Sequence, residues 1–188
     1  MPFKDLIWRK RVNNYFQIVD KLLKNIDDIT ITEDLRQAFI ERTKNHIRLV
    51  NDFARKIGKE YPNHDASKLN DLLEPYSLFL KKDKTQAEEE LLDLATIIHI
   101  KNSPHHPEYW TDTNIEGFTR KNPNPHGIID ATDMPDEALE EMAADWCATG
   151  VMKNNSGMEW FNKVNGVRWL FTTEQQAYLR KLLNIMEK

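Results

Sequence analysis

The spacing of apolar residues constrains the fold of this chain more than any other feature. Through most of the sequence they recur three and four positions apart, and Phe39, Val50 and Ile57 lie along one such stripe. This spacing is the period of an amphipathic helix, and the alternation typical of strands is scarce. Only 6 glycines interrupt the 188 residues. We therefore predict an all-α fold, a single-domain helical bundle over residues 1–188.

Start and stop signals divide the helical stretches. Thr30, Thr85 and Thr172 each precede a glutamate or glutamine by three positions, which is the spacing of a capping box. Gly58 ends the second stretch, and Pro75 breaks or kinks the third. The predicted helices cover residues 5–23, 30–57, 64–79, 85–99, 133–150 and 172–185.

A long loop separates the fourth and fifth predicted helices. It covers residues 102–133, is rich in proline and carries three of the histidines. Loops of about 30 residues inside a domain are usually functional or disordered. Because Tyr109, Trp110 and Phe118 lie in it, we predict that it is ordered and functional. In the C-terminal segment, residues 151–188, the aromatic residues Trp160 and Trp169 suit either a dimer interface or the core.

The charge balance argues against a nucleic-acid partner. Lysine and arginine total 26 against 30 acidic residues, a net charge of −4, so the chain has no global cationic field. The basic run WRKR near the N-terminus is typical of a solvated helix face. No apolar run reaches the roughly 18–20 residues of a membrane helix, and no secretion signal is recognisable. We therefore expect a cytoplasmic protein without a membrane partner.

The histidines are the first indication of function. All six, at positions 46, 64, 99, 105, 106 and 126, lie within one part of the chain. Imidazole and carboxylate together suit first-row transition metals. His46 lies on the apolar face of a predicted helix, and His64 with Asp65 opens the next one. A lone buried histidine is more often a core residue, but a His-Asp pair and a later helical aspartate, Asp145, together indicate a metal site.

These residues resemble the HD-domain metal-dependent phosphohydrolases. The segments RTKNHIRLVNDFARKI, NHDASKL and EEMAADWCA are similar to three elements of that superfamily. The resemblance implies an HD-like core over residues 30–150. It also implies His46, His64, Asp65 and Asp145 as metal ligands and Lys68 as a phosphate contact. The combination of HHPEYW with EMAADW is also similar to a functionally uncharacterised family of small bacterial and phage proteins.

Two parts of the implied site stay open. Asp130 and Asp133 lie at plausible distances from the His-Asp pair and compete with Asp145 as the fourth ligand, although Asp133 also suits a helix cap. Glu141, one helical turn before Asp145, could orient water or accept its proton, although an exposed glutamate is the commoner interpretation.

Further histidines suggest a second ion. Some members of the superfamily hold two metals, and His99 with His105 or His106 could supply the second site. A solvated histidine pair in a loop is the competing interpretation of His105 and His106, and His126 is typical of a surface turn.

The resulting hypothesis is a hydrolase that acts on a nucleotide or another small phosphoester. Its cofactor would be one or two divalent ions of Mn, Co, Ni, Zn, Fe or Mg. The alternatives are an HD-type di-iron oxygenase and a non-catalytic helical binding module stapled by metal. A homodimer is compatible with all three hypotheses.

Overall fold

The computed structural model describes residues 29–188, and it confirms the all-α prediction. The predicted helix over residues 5–23 and the run WRKR lie outside the described residues. In the part that is described, no helix is both long enough and apolar enough to cross a membrane.

Seven α-helices and two very short strands make up the described fold. The helices are α1 (Glu33–Arg55), α2 (Ala66–Leu69), α3 (Leu73–Ser77), α4 (Gln86–Asn102), α5 (Asp136–Lys153), α6 (Gly157–Val164) and α7 (Thr173–Met186). Two 3-10 turns cover Leu78–Leu80 and Pro107–Tyr109. Strands β1 (Ile129–Asp130) and β2 (Trp169–Leu170) are parallel, with Ile129 opposite Trp169.

Two of the three predicted capping boxes are confirmed. Thr85 and Thr172 cap α4 and α7, and in each box both reciprocal hydrogen bonds are present. The box predicted at Thr30 is wrong, because α1 begins two residues later and Thr32 is its cap. The Thr32 hydroxyl accepts a hydrogen bond from the Leu35 amide at 3.3 Å.

The helix predicted over residues 64–79 is two helices. The break lies at residues 70–72, before Pro75 rather than at it. Pro75 occupies the first turn of α3, where a backbone N–H has no helical partner and its loss costs little.

The helix predicted over residues 133–150 begins later and ends later. Pro135 is the cap of α5, so Asp133 is not a helix cap. Gly150 does not end the helix, which continues to Lys153 and stops where Asn154 adopts a left-handed conformation. A Cβ at position 150 would lie 2.7 Å from the Asn155 carbonyl oxygen, so this glycine permits the close return of the chain.

Helix α6 lies where only an aromatic stretch was recognised. Ser156 and Glu159 form its capping box. The aromatic residues of this stretch pack inward, since Trp169 is 4% exposed and stacks on Trp146 at a centroid distance of 5.8 Å. Trp169 therefore belongs to the core, and Trp160 packs against the same core while staying partly exposed.

Two apolar clusters hold the bundle together. The larger one joins the C-terminal part of α1 to α5, α6 and α7 and includes Leu139, Phe161 and Leu183. The smaller one joins the N-terminal part of α1 to α3 and α4. On α1, His46 lies between Phe39 of the smaller cluster and Val50 of the larger one. His46 therefore lies where the two clusters meet along α1.

Candidate metal centre

Helices and one tight turn position a first group of metal-ligating atoms. We call His46 Nε2, His64 Nε2, Asp65 Oδ2 and Asp145 Oδ1 the first donor group. His46 Nε2 lies 2.9 Å from Asp145 Oδ1, 3.3 Å from His64 Nε2 and 3.7 Å from Asp65 Oδ2. His64 Nε2 lies 3.8 Å from each carboxylate oxygen. The four residues that the superfamily resemblance implied are thus brought together.

The turn before α2 aims the Asp65 carboxylate. Asp65 has φ 56°, a left-handed conformation that is rare for residues other than glycine and asparagine. This conformation lets the residue face inward with 4% of its surface exposed. Its two oxygens then point to different partners.

The second oxygen of Asp65 faces the other histidines. We call His99 Nε2, His105 Nε2, His106 Nε2 and Asp65 Oδ1 the second donor group. Asp65 Oδ1 lies 3.1 Å from His99 Nε2 and 3.8 Å from His105 Nε2, and His106 Nε2 lies 3.1 Å from His99 Nε2. His99 lies in the last turn of α4, as predicted, and the other two histidines follow in the loop.

Hydrogen bonds to the outer ring nitrogens keep the Nε2 atoms directed inward. Glu141 Oε1 lies 2.8 Å from His64 Nδ1 and 3.2 Å from His105 Nδ1, so one carboxylate holds a histidine of each group. The hydroxyls of Ser67 and Ser103 lie 3.0 and 3.1 Å from His99 Nδ1. Such partners set the tautomer and the ring orientation of metal-binding histidines.

The donor sets fit divalent transition metals. Four ligands about 2.1 Å from one ion lie roughly 3–3.5 Å apart. The separations in the two groups run from 2.9 to 3.8 Å and therefore bracket this range. Among the described residues, His105 Nε2 is buried without a hydrogen-bond partner, which is costly for a polar atom. It lies 3.8 Å from Asp65 Oδ1, and an ion in the second group would satisfy it.

The charges of the first group are mutually stabilising. Burial raises the pKa of the Asp65 carboxyl, but Lys68, 2.8 Å away, and His64 outweigh this and hold the pKa well below its usual range. Burial lowers the pKa of His64, but Asp65, Asp145 and Glu141 raise it to about 10. The His64 ring is therefore protonated on both nitrogens at neutral pH, and a bound metal would displace one of these protons.

Two histidines of the second group, His99 and His106, are neutral. Burial and the nearby Lys68 lower the pKa of His99 to about 3. Burial together with His105 and His99 holds the pKa of His106 well below its usual range. Each of these two rings is uncharged at neutral pH, with one nitrogen free of a proton. The uncharged ring is the form that binds metal.

Other predicted residues lie away from the cluster. Asp130 and Asp133 are both exposed, and Asp130 accepts hydrogen bonds from the backbone and hydroxyl of Thr132. Of the three competing aspartates, the described structure brings only Asp145 to the histidines. His126 is exposed and bonds to the Glu116 carbonyl at 2.9 Å, as expected of a surface turn.

A buried anchor fixes the loop that carries His105 and His106. Glu108 is fully buried and accepts hydrogen bonds from Arg168 Nη2 and Trp169 Nε1, both at 3.0 Å. Lys101 donates to the carbonyl of Glu108 at 2.9 Å. The loop is therefore ordered, as predicted, but the residues that hold it were not recognised from the sequence. The only feature of the local sequence that could have indicated this role is the position of Glu108, which closely follows the histidine pair.

One cleft of about 400 Å³ opens onto the cluster. Among the described residues its lining contains no lysine or arginine. The lining residues nearest to the donors are His64, Asp65, Ser67, Ser103, His105 and Glu141, and Glu60 and Tyr61 lie at its edge.

Comparison with known proteins identifies a family but no function. No curated protein and no solved structure matches the sequence. The model of one family matches residues 35–185, which include every residue of both donor groups. The chain therefore belongs to the family of unknown function DUF5662.

Proposed function

We propose that this protein is a metal-dependent phosphohydrolase that acts in the cytoplasm on a nucleotide or another small phosphoester. The observation that carries the proposal is the position of Asp65, whose two oxygens face two separate groups of histidines. A carboxylate in this position suits two neighbouring divalent ions of Mn, Co, Ni, Zn, Fe or Mg. When bound, such ions supply a water of lowered pKa and neutralise charge on a phosphoryl group.

The surrounding residues support this chemistry by holding the ligands. Glu141 bonds to His64 and His105 on the side away from the donors, so it positions two ligands, and because it also lines the cleft it can still orient water or accept its proton. Lys68 keeps 21% of its side chain exposed while it pairs with Asp65. Its remaining ammonium hydrogens are available to a phosphoryl oxygen, as the superfamily resemblance implied.

The proposal of a small substrate rests on the size of the cleft. A volume of about 400 Å³ lies in the range of small-molecule sites. The aromatic residues of the loop differ in whether they can stack on a nucleobase. Phe118 is 5% exposed and has no free face for a base, whereas Tyr109 and Trp110 are partly exposed and keep that possibility.

The first test is the metal content of protein purified without chelator. We expect one or two equivalents of a transition metal in the wild type and a loss in the His64→Ala, Asp65→Ala double variant. The matched control is His126→Ala, which removes an exposed histidine outside the cluster. Hydrolysis of phosphomonoesters, diesters and nucleotides is then measured with the same preparations. A wild type that binds no metal after incubation with these ions would refute the proposal.

An HD-type di-iron oxygenase is the second candidate. It is favoured by the excess of imidazole over carboxylate in the donor groups and by a cleft lining that includes Glu60 and Glu141 but no cation. Paired iron, a visible absorption band and oxygen uptake would support it. If the protein binds metal but neither hydrolyses a phosphoester nor consumes oxygen, the hypothesis of a non-catalytic binding module remains.

A further inference from the structure

Arg42 is a cation near the metal centre that no carboxylate of the described residues neutralises. It is half-buried on α1, one helical turn before His46, and its guanidinium lies 4.8 Å from the centroid of the Phe79 ring. Within residues 29–188 it makes no ion pair. The other arginines of α1, by contrast, all pair with acidic residues: Arg36 with Glu33 and Glu74, Arg48 with Asp52, and Arg55 with Asp52 and Glu60.

Aromatic contacts connect the side of α1 that carries Arg42 to Lys68. Tyr76 stacks on Phe39, which lies one turn before Arg42, and Lys68 lies 5.5 Å from the centroid of the Tyr76 ring. Burial lowers the pKa of the Arg42 guanidinium, and the nearby Asp65 carboxylate opposes this shift. The guanidinium is therefore within the electrostatic reach of the carboxylate that both donor groups share.

A half-buried guanidinium without a carboxylate is unfavourable unless something else stabilises it. The contact with the Phe79 ring offsets only part of this cost. Lys68 differs, because Asp65 neutralises it at 2.8 Å. With two divalent ions bound, three carboxylates (Asp65, Asp145 and Glu141) would face four positive charges on the ions as well as both side-chain cations. These groups together then carry a net positive charge, which suits a polyanion.

We propose that Arg42 binds a second phosphoryl group, so that the site prefers substrates with two or more linked phosphoryl groups over simple monoesters. This inference rests on the proposed function, since the first phosphoryl group lies at the ions beside Lys68. The planar guanidinium can donate two parallel hydrogen bonds to one phosphate, whereas an ammonium acts as a point charge.

Calorimetric titration with inorganic phosphate and inorganic pyrophosphate, at constant free Mg²⁺, tests the inference. Arg42→Gln removes the charge and keeps much of the stem that packs on Phe79. We expect it to weaken pyrophosphate binding about tenfold or more and to change phosphate binding by less than about twofold. Arg42→Lys should recover part of the loss. The matched control is Arg48→Gln on the same helix, which is exposed and paired with Asp52 and should change neither affinity.

The outcomes separate this inference from the proposed function. If Arg42→Gln binds pyrophosphate as tightly as the wild type, or if the wild type binds pyrophosphate no better than phosphate, the inference is wrong even when hydrolysis is observed. If pyrophosphate binding depends on Arg42 but no phosphoester is hydrolysed, the inference stands and the proposed function fails. Circular dichroism checks folding, and Arg42→Lys provides the comparison if Arg42→Gln is unstable.

Discussion

The two donor groups are built in different ways. The first takes His46 and Asp145 from long helices that pack closely on each other, and the turn before α2 completes it. The second takes His99 from the end of α4 and its other two histidines from a loop. Packing of apolar side chains positions the first group, whereas the second depends on the buried hydrogen bonds of Glu108. A metal centre can thus combine ligands that helix packing positions with ligands that one buried, hydrogen-bonded glutamate positions.

Substitution of the shared aspartate should have the largest effect. Asp65→Asn removes a charged oxygen from both groups and leaves Lys68 without its partner. Loss of a residue that only hydrogen-bonds to a ligand lowers metal affinity about 10–100-fold. Loss of the ligand that both groups share should therefore lower the metal affinity of each group by more than about 100-fold. Elemental analysis after dialysis measures the loss. Asp52→Asn, an exposed aspartate on α1, is the control, and retention of either ion by Asp65→Asn would contradict the shared role.

Glu141→Gln should weaken both groups together. A glutamine oxygen carries no charge and accepts a hydrogen bond more weakly than a carboxylate, and the NH2 group of glutamine cannot accept one from a histidine. We expect the affinity for each ion to fall about 10–100-fold. Competition with a chromophoric chelator resolves the two binding steps, and Glu137→Gln, exposed and one turn earlier on α5, is the control. A loss confined to one step would show that Glu141 serves one group only.

The two groups should also differ in pH dependence. The pKa of His64 is raised from 6.5 to about 10 in the metal-free protein, so binding at the first group releases a proton. Its affinity should therefore rise by up to about tenfold per pH unit above neutrality. His99 has a pKa lowered to about 3, and the second group should show a weaker dependence. Proton release measured by calorimetry in buffers of different ionisation enthalpy tests the difference.

The same pKa shift predicts an alkaline loss of stability. Because the folded-state pKa of His64 is raised, its contribution is fully present below pH 6.5 and is lost as the pH rises through about 10. Urea titrations should show the free energy of unfolding of the metal-free protein falling across this range. Metal-bound protein, in which His64 is already deprotonated, should lack that fall. Parallel curves for the two forms would contradict the protonation of His64.

Weakening the loop anchor should have the smallest but most selective effect. Glu108→Gln replaces a charged acceptor of Arg168 and Trp169 by a neutral one, a change of about 1 kcal/mol or about fivefold in affinity. The loss should fall on the second group and leave the first unchanged, as measured by the chelator competition. Glu116→Gln, exposed in the same loop, is the control. An equal loss at both groups would remove the distinction between them.

Local signals in the sequence were enough for one part of the structure. The boxes at Thr85 and Thr172 were predicted because their hydrogen bonds join residues three positions apart. His46 and Asp145 were recognised through helical spacing and the superfamily resemblance, and the structure brings them within 2.9 Å.

The rest depends on contacts between distant segments. Ser67 bonds to a histidine on α4, and Glu108 bonds to Arg168, far along the chain. No short-range pattern indicates such partners. The hydrogen bonds of Glu141 are a further example, because only the folded chain places it between His64 and His105. Strands of two residues are also too short for alternation to show.

The left-handed backbone of Asp65 has a consequence for how this chain can change over evolutionary time. A glycine at this position would relieve the backbone strain. It would also remove the carboxylate that neutralises Lys68 and stabilises the charge on His64, and an unpaired buried charge is costly. Backbone strain and charge balance therefore oppose each other at this position. A relative that has abandoned the metal centre should thus have changed residue 68 together with residue 65.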